Sequence, residues 1–81
     1  MKLIEHSPTK EVQYYGFTFT VPVCIKYAAV DANGTLMGFE DEPKVDHGWQ
    51  FWDNTTANEM VEMGKVDLEG QAWESTLQVL N

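Results

Sequence analysis

An Asn33-Gly34 pair set between two runs of sheet-favouring residues commits the middle of this chain to a β-hairpin. Asn-Gly supplies the positive backbone angles that a tight two-residue hairpin turn requires, and the flanking Tyr27, Val30, Leu36 and Phe39 are residues that sheets favour. The polar run Glu40-Asp41-Glu42 and then Pro43 close the second arm.

The neighbouring segments extend this pattern. Residues 13–21 alternate, with Tyr15, Phe17, Phe19 and Val21 on one face and Tyr14, Gly16, Thr18 and Thr20 on the other, which predicts one strand with a buried side. Pro22 cannot donate to a ladder and ends that strand, and extended structure resumes over 24–32. Asp46-His47-Gly48 reads as a loop before Trp49-Gln50-Phe51-Trp52, a fourth short strand. Residues 53–68 allow two readings. Thr56-Ala57-Asn58-Glu59 matches a helix capping box, whereas Gly64, Val66 and Leu68 resume a period of two, and the strand is preferred. After Gly70, Trp73, Leu77 and Leu80 fall at helical spacing, with Glu69 and Glu74 placed to suit a helix dipole. The expected fold class is therefore α+β: a small three- or four-stranded antiparallel sheet with one C-terminal helix, in a single domain over 1–81.

Size and charge narrow the function. A domain of 81 residues buries only about 60% of the surface its unfolded chain exposes, so further burial through a homodimer is one route to stability. The single Cys24 rules out an internal disulfide and sits in the apolar run Val21-Pro22-Val23-Cys24-Ile25, where a buried, inert thiol is expected. Thirteen Asp and Glu stand against five Lys and no Arg, for a formal charge of −8. Phosphates are neutralised by Lys and Arg, and guanine is read most often by a bidentate Arg, so the composition argues against direct nucleic-acid binding. An anionic membrane surface would repel such a chain, and no apolar run approaches the roughly 20 residues of a bilayer span. The start, Met1-Lys2-Leu3-Ile4-Glu5-His6, meets charge at once, which reads against a secretory leader and for a cytoplasmic location.

No reaction is written into the residues. Glu40, Asp41, Glu42, Asp46, His47 and Asp53 are the densest set of potential ligands, but they lack the alternate spacing and central glycine of a calcium loop, and a solvated acidic loop is expected. His6 and His47 are isolated, with no zinc-ligand spacing. Ser7 and Ser75 lack a nucleophile-elbow context, Cys24 has no histidine beside it in sequence, and the six glycines are scattered singly rather than gathered into a phosphate loop. The expectation is no enzyme, no metal and no cofactor. The aromatics point elsewhere. In strand geometry Trp49 and Phe51 share a face while Trp52 points oppositely, so this segment offers more aromatic surface than a small core can take up, and tryptophan is a frequent binding hot spot. A competing reading puts Trp49 and Trp73 in the core, under the helix. The candidate partner-binding set is Glu40, Asp41, Glu42, Asp46, Trp49, Phe51 and Trp52.

Over residues 17–77 the chain resembles small uncharacterised tailed-bacteriophage proteins. The resemblance rests on Lys26-Tyr27-Ala28-Ala29-Val30-Asp31 with the turn glycine Gly34, on Phe39-Glu40-Asp41-Glu42-Pro43, on a downstream Trp49 or Trp52, on Met63-Gly64-Lys65-Val66, and on Trp73-Glu74-Ser75-Thr76-Leu77. In the last of these Thr76 intervenes and shifts the closing leucine. The resemblance implies a small sheet with a terminal helix, strand rather than helix around Met63, and no catalytic residues to carry over. It further implies a non-enzymatic acidic accessory protein of the antidefence or host-takeover type. Such a protein binds and inhibits or redirects a host protein, for instance a nucleic-acid-processing or defence enzyme, in the host bacterial cytoplasm. Some proteins of this kind present carboxylates where an enzyme expects DNA phosphates, and a negative surface is steered rapidly to a positive channel. Two alternatives stand beside this: a self-associating structural or assembly component, and a metal-dependent enzyme built on the acidic cluster.

Overall fold

The computed structural model describes Met1, residues 8–54 and residues 58–80. Among these residues the fold is all-β. The strands run β1 (Thr9–Tyr14), β2 (Phe17–Pro22), β3 (Tyr27–Val30), β4 (Thr35–Phe39), β5 (Lys44–Asp46), β6 (Phe51–Asp53), β7 (Met60–Lys65) and β8 (Gln78–Val79), with one 3-10 turn at Trp73–Ser75. All pairings are antiparallel. A central four-stranded sheet has the order β7-β4-β3-β8, and two-stranded hairpins, β1-β2 and β5-β6, form separate sheets. No helix of the described residues is long and apolar enough to cross a membrane.

The two hairpins lie on opposite faces of the central sheet. Ala28, Val30 and Leu36 pack with Val12, Tyr14, Val21, Ile25 and Leu80 on one side. Ala29 and Phe39 pack with Trp52 on the other, where Tyr27, Met37, Val45, Trp73 and Leu77 join them. Successive strand residues point to opposite faces, so a strand covered on both sides reads as a continuous buried run rather than an alternating one. That accounts for Ala28-Ala29-Val30 and for Gly38-Phe39, buried without a break. Small residues let the layers close: a Cβ on Gly38 would lie 2.8 Å from Ile25 Cγ2 and 3.1 Å from Met63 Sδ.

Four expectations need correction. The α+β class fails because the segment after Gly70 does not form a helix. Ala72 is extended, Ser75 Oγ donates to the Ala72 carbonyl at 2.7 Å, and Thr76 Oγ1 donates to the Trp73 carbonyl at 2.7 Å. The same carbonyls also accept the Ser75 and Thr76 amides at 3.0 and 3.2 Å, so the turn closes with 3-10 spacing and goes no further. Gln78–Val79 then pairs with Tyr27 and Ala28 at the edge of the central sheet. Trp73 and Leu77 pack on one face and Leu80 on the other, the latter two flanking the edge strand β8 at positions of opposite parity.

The single strand over 13–21 is instead a hairpin folded at Tyr15-Gly16, whose positive φ values of 49° and 83° are those of a type I′ turn. Phe17, Phe19 and Val21 do share a face, opposite Tyr14, Val12 and Lys10, while Tyr15 lies outside the ladder. The Asn33-Gly34 hairpin forms, but with a longer loop. Gly34 N–H donates to Asp31 O, Asp31 N–H donates to Thr35 O, and only Gly34 has positive φ. This is a type I turn closed by a glycine bulge, not a two-residue turn. Finally, Cys24 lies half-buried in the turn after β2, outside any strand. Strand structure at Met60–Lys65 agrees with the preferred reading of that segment, with Met63 as an extra, bulged residue between Glu62 and Gly64. The Thr56-Ala57 part of the proposed capping box lies outside the described residues.

Candidate functional site

The turn joining β5 to β6 carries the most exposed tryptophan of the described residues. Asp46 builds it: its Oδ1 accepts the Trp49 N–H at 3.1 Å and its carbonyl accepts the Gln50 N–H at 2.8 Å, while Gln50 takes φ 57°. Fixed in this way, Trp49 stands 81% exposed. The neighbouring β3-β4 loop is tied alongside. Asp31 Oδ1 accepts the Trp52 N–H at 2.8 Å, and Ala32 N–H donates to the Gln50 carbonyl at 3.3 Å. Between the two loops runs an open groove of about 580 Å³ lined by Asp31, Ala32, Asn33, Trp49, Gln50 and Phe51. Burial raises the Asp31 carboxyl above its usual range, against the lowering effect of the Trp52 N–H.

The seven residues singled out from sequence divide into three groups. Trp49 and Phe51 line the groove together, Trp49 exposed and Phe51 half-buried. Trp52 does not join them. It is 5% exposed, its indole Nε1 donates to the Val30 carbonyl at 3.0 Å, and its ring meets Trp73 edge-on with centroids 6.2 Å apart. The β-strand alternation of side chains puts it on the inner face, where it serves as the keystone of the second core. The carboxylates form no compact cluster. Glu40 Oε1 accepts the Glu59 N–H at 3.3 Å, Asp41 accepts from the Asn58 amide, Glu42 is exposed and lies 3.6 Å from Lys44, and Asp46 caps the Trp49 turn. Glu40 and Asp41 sit after β4 beside residues 58–59 and Asp46 ends β5, so the four do not meet at a point. Among the described residues no three His, Cys, Asp or Glu come together as metal ligands.

One element of this site is not legible in the sequence: no local signal shows that the Asp31 carboxylate reaches a residue 21 positions later. Elsewhere, on the β1-β2 hairpin, Tyr15 and Phe17 are 47% and 67% exposed where the alternation predicts a buried face. Gly16 was the available signal, since a glycine within an aromatic run is where a strand can fold back.

No protein-family model, no curated protein and no solved structure matches the chain.

Proposed function

We propose that this chain is a non-enzymatic docking protein, a small acidic phage accessory protein that binds a basic surface of a host protein in the bacterial cytoplasm and blocks or diverts it. The observation that carries the reading is Trp49. Its indole is 81% exposed on a turn whose backbone Asp46 caps, and a tryptophan presented on a fixed backbone is a frequent binding hot spot whose docking orders little more than its own rotamer. Charge supports the same direction. Residues 40–54 hold five carboxylates against one lysine, half of the formal charge of −8, so the stretch of chain that carries Trp49 is also the acidic one. Such a surface speeds encounter with a positive partner and selects against anionic ones. The groove beside Trp49, rimmed by Asp31, Asn33 and Gln50, supplies polar groups that fix orientation.

The test is affinity capture from a bacterial lysate with the wild-type chain and with Trp49→Ala in parallel. A stoichiometric partner bound by the wild type and lost by the variant supports the reading. Equal recovery on both, or no partner beside a chain that sediments as a defined oligomer, overturns it and favours self-association.

A further inference from the structure

A second concave site lies on the opposite layer, away from the Trp49 groove. Two turns frame it. The first is Tyr15-Gly16 at the tip of the β1-β2 hairpin. The second is Glu69-Gly70, with φ 51° and 86°, closed by Gln71 N–H donating to Leu68 O at 2.9 Å. Both have the paired positive φ of a type I′ turn. Asp67 Oδ1 accepts the Glu69 N–H at 2.9 Å and stiffens the second turn, and Gln71 Nε2 donates to the Tyr15 hydroxyl at 2.9 Å, linking the two. The cleft between them measures about 220 Å³. That is below the roughly 300–1,000 Å³ usual for small-molecule sites, and suits one long side chain.

Its walls combine two chemistries. Tyr15, Phe17 and Phe19 contribute aromatic surface over Val66 and Leu68, and the charged residues on the lining are Asp67 and Glu69 alone. Lys65 lines an adjoining cleft that shares Phe17, Phe19, Val66, Asp67 and Glu69 with this one, and its amine is engaged elsewhere, 3.9 Å from Glu62 and donating to Thr35 Oγ1 at 3.1 Å. Aromatic faces with two carboxylates that form no ion pair among the described residues attract a planar, weakly hydrated cation, which stacks on rings and donates to carboxylates at once. The surrounding hairpin is electrically neutral, with Lys10 and Glu11 as the charges of residues 8–25, so the negative potential there is local to Asp67 and Glu69.

We infer that this cleft is a binding site for an arginine side chain of a partner polypeptide, separate from the Trp49 surface. Phe17, 67% exposed, is the stacking platform; Asp67 and Glu69 are the acceptors. The experiment titrates 15N-labelled protein with acetyl-Leu-Arg-Leu-amide and, in parallel, with the same peptide carrying citrulline, which keeps the shape and loses the charge. The expected result is saturable amide shifts over 15–19 and 66–71, with affinity at least tenfold weaker for citrulline. Phe17→Ala and the double variant Asp67→Asn/Glu69→Gln should each lose at least tenfold, while Trp49→Ala binds as the wild type does. Both variants spare the core, and asparagine at 67 retains the acceptor for the turn. Equal binding of the citrulline peptide, unaltered affinity in either variant, or shifts centred on Ala32 and 49–51 would overturn the inference. Because the amide shifts separate this cleft from the Trp49 groove and the host-protein capture tests the latter alone, failure here leaves the Trp49 reading standing, and the converse holds as well.

Discussion

Asp31 links the two loops that form the groove, and it does so with a half-buried carboxylate. Burial raises its pKa, so its contribution to stability is fully present below the unfolded-state value near ~4 and is lost as pH rises through the folded value. At neutral pH the ionised group is a liability offset by its bond to the Trp52 N–H. Asp31→Asn keeps the acceptor and removes the charge; urea unfolding at pH 7 should show stability unchanged or slightly raised. Asp31→Ala leaves that N–H unsatisfied and should cost about 1–2 kcal/mol. Equal losses would show that the charge itself is required. Tyr14 titrates at the other extreme. Its hydroxyl, 3% exposed at the residue level, donates to the Thr76 carbonyl at 2.6 Å, and burial pushes its pKa up to about 12. The unfolded chain gives up this proton near ~10, so between those values the unfolded state holds fewer protons and stability falls as pH rises. The loss should approach about 2–3 kcal/mol by pH 12, and Tyr14→Phe should flatten that limb of the stability profile.

The turns decide which strands meet, and their glycines are not equivalent. Gly34 has φ 89°, and a Cβ there would sit 2.5 Å from the Val66 carbonyl oxygen, a backbone atom held by Val66 N–H donating to Gly34 O at 2.8 Å. Gly16 has φ 83° with nothing within 4 Å of such a Cβ. Gly16→Ala should therefore cost about 1 kcal/mol, the left-handed penalty alone. Gly34→Ala should cost at least about 1–3 kcal/mol more; similar thermal midpoints for the two would contradict the packing of the 66–68 segment against the loop. The same contrast explains what sequence could and could not reveal. Asn33-Gly34 announced a hairpin because turn chemistry is local, whereas the Met60–Lys65 strand ends before Val66 and Leu68, on which the period of two rested, and is bulged at Met63. The 70–80 segment misled because Trp73, Leu77 and Leu80 do fall at helical spacing. What cancels that spacing is long-range: the Thr76 hydroxyl accepts the Val30 N–H at 2.8 Å, and Leu80 N–H donates to the Lys26 carbonyl at 2.7 Å. Neither partner is adjacent in the chain, so periodicity alone cannot register them. Trp52 and Trp49 pose the same problem, since both are large aromatics near a turn, and what distinguishes the buried one is distant in sequence: the Val30 carbonyl and the Trp73 ring.

Across the whole molecule, charge and aromatic surface are divided between layers. The β5-β6 layer bears Trp49 and follows the acidic run 40–42; the β1-β2 layer is neutral and bears Tyr15 and Phe17; the central sheet separates them. A chain with two such faces can hold two contacts at once, which suits a protein that redirects its partner more than one that only occludes it. Stability and binding should be carried by different tryptophans. Trp52→Ala removes the keystone of one core and should cost about 3–5 kcal/mol; Trp49→Ala should leave the thermal midpoint within about 2 °C, as befits a surface change of under ~0.5 kcal/mol. Acidic steering gives a further expectation, that association with the captured partner slows several-fold from low to physiological salt while dissociation changes little. The most direct measurement is the dissociation rate of that partner from wild type and from fully folded Trp49→Ala. The account predicts release at least about tenfold faster from the variant, the loss of a central aromatic anchor. An unchanged dissociation rate would contradict it and would place the contact surface elsewhere on the molecule.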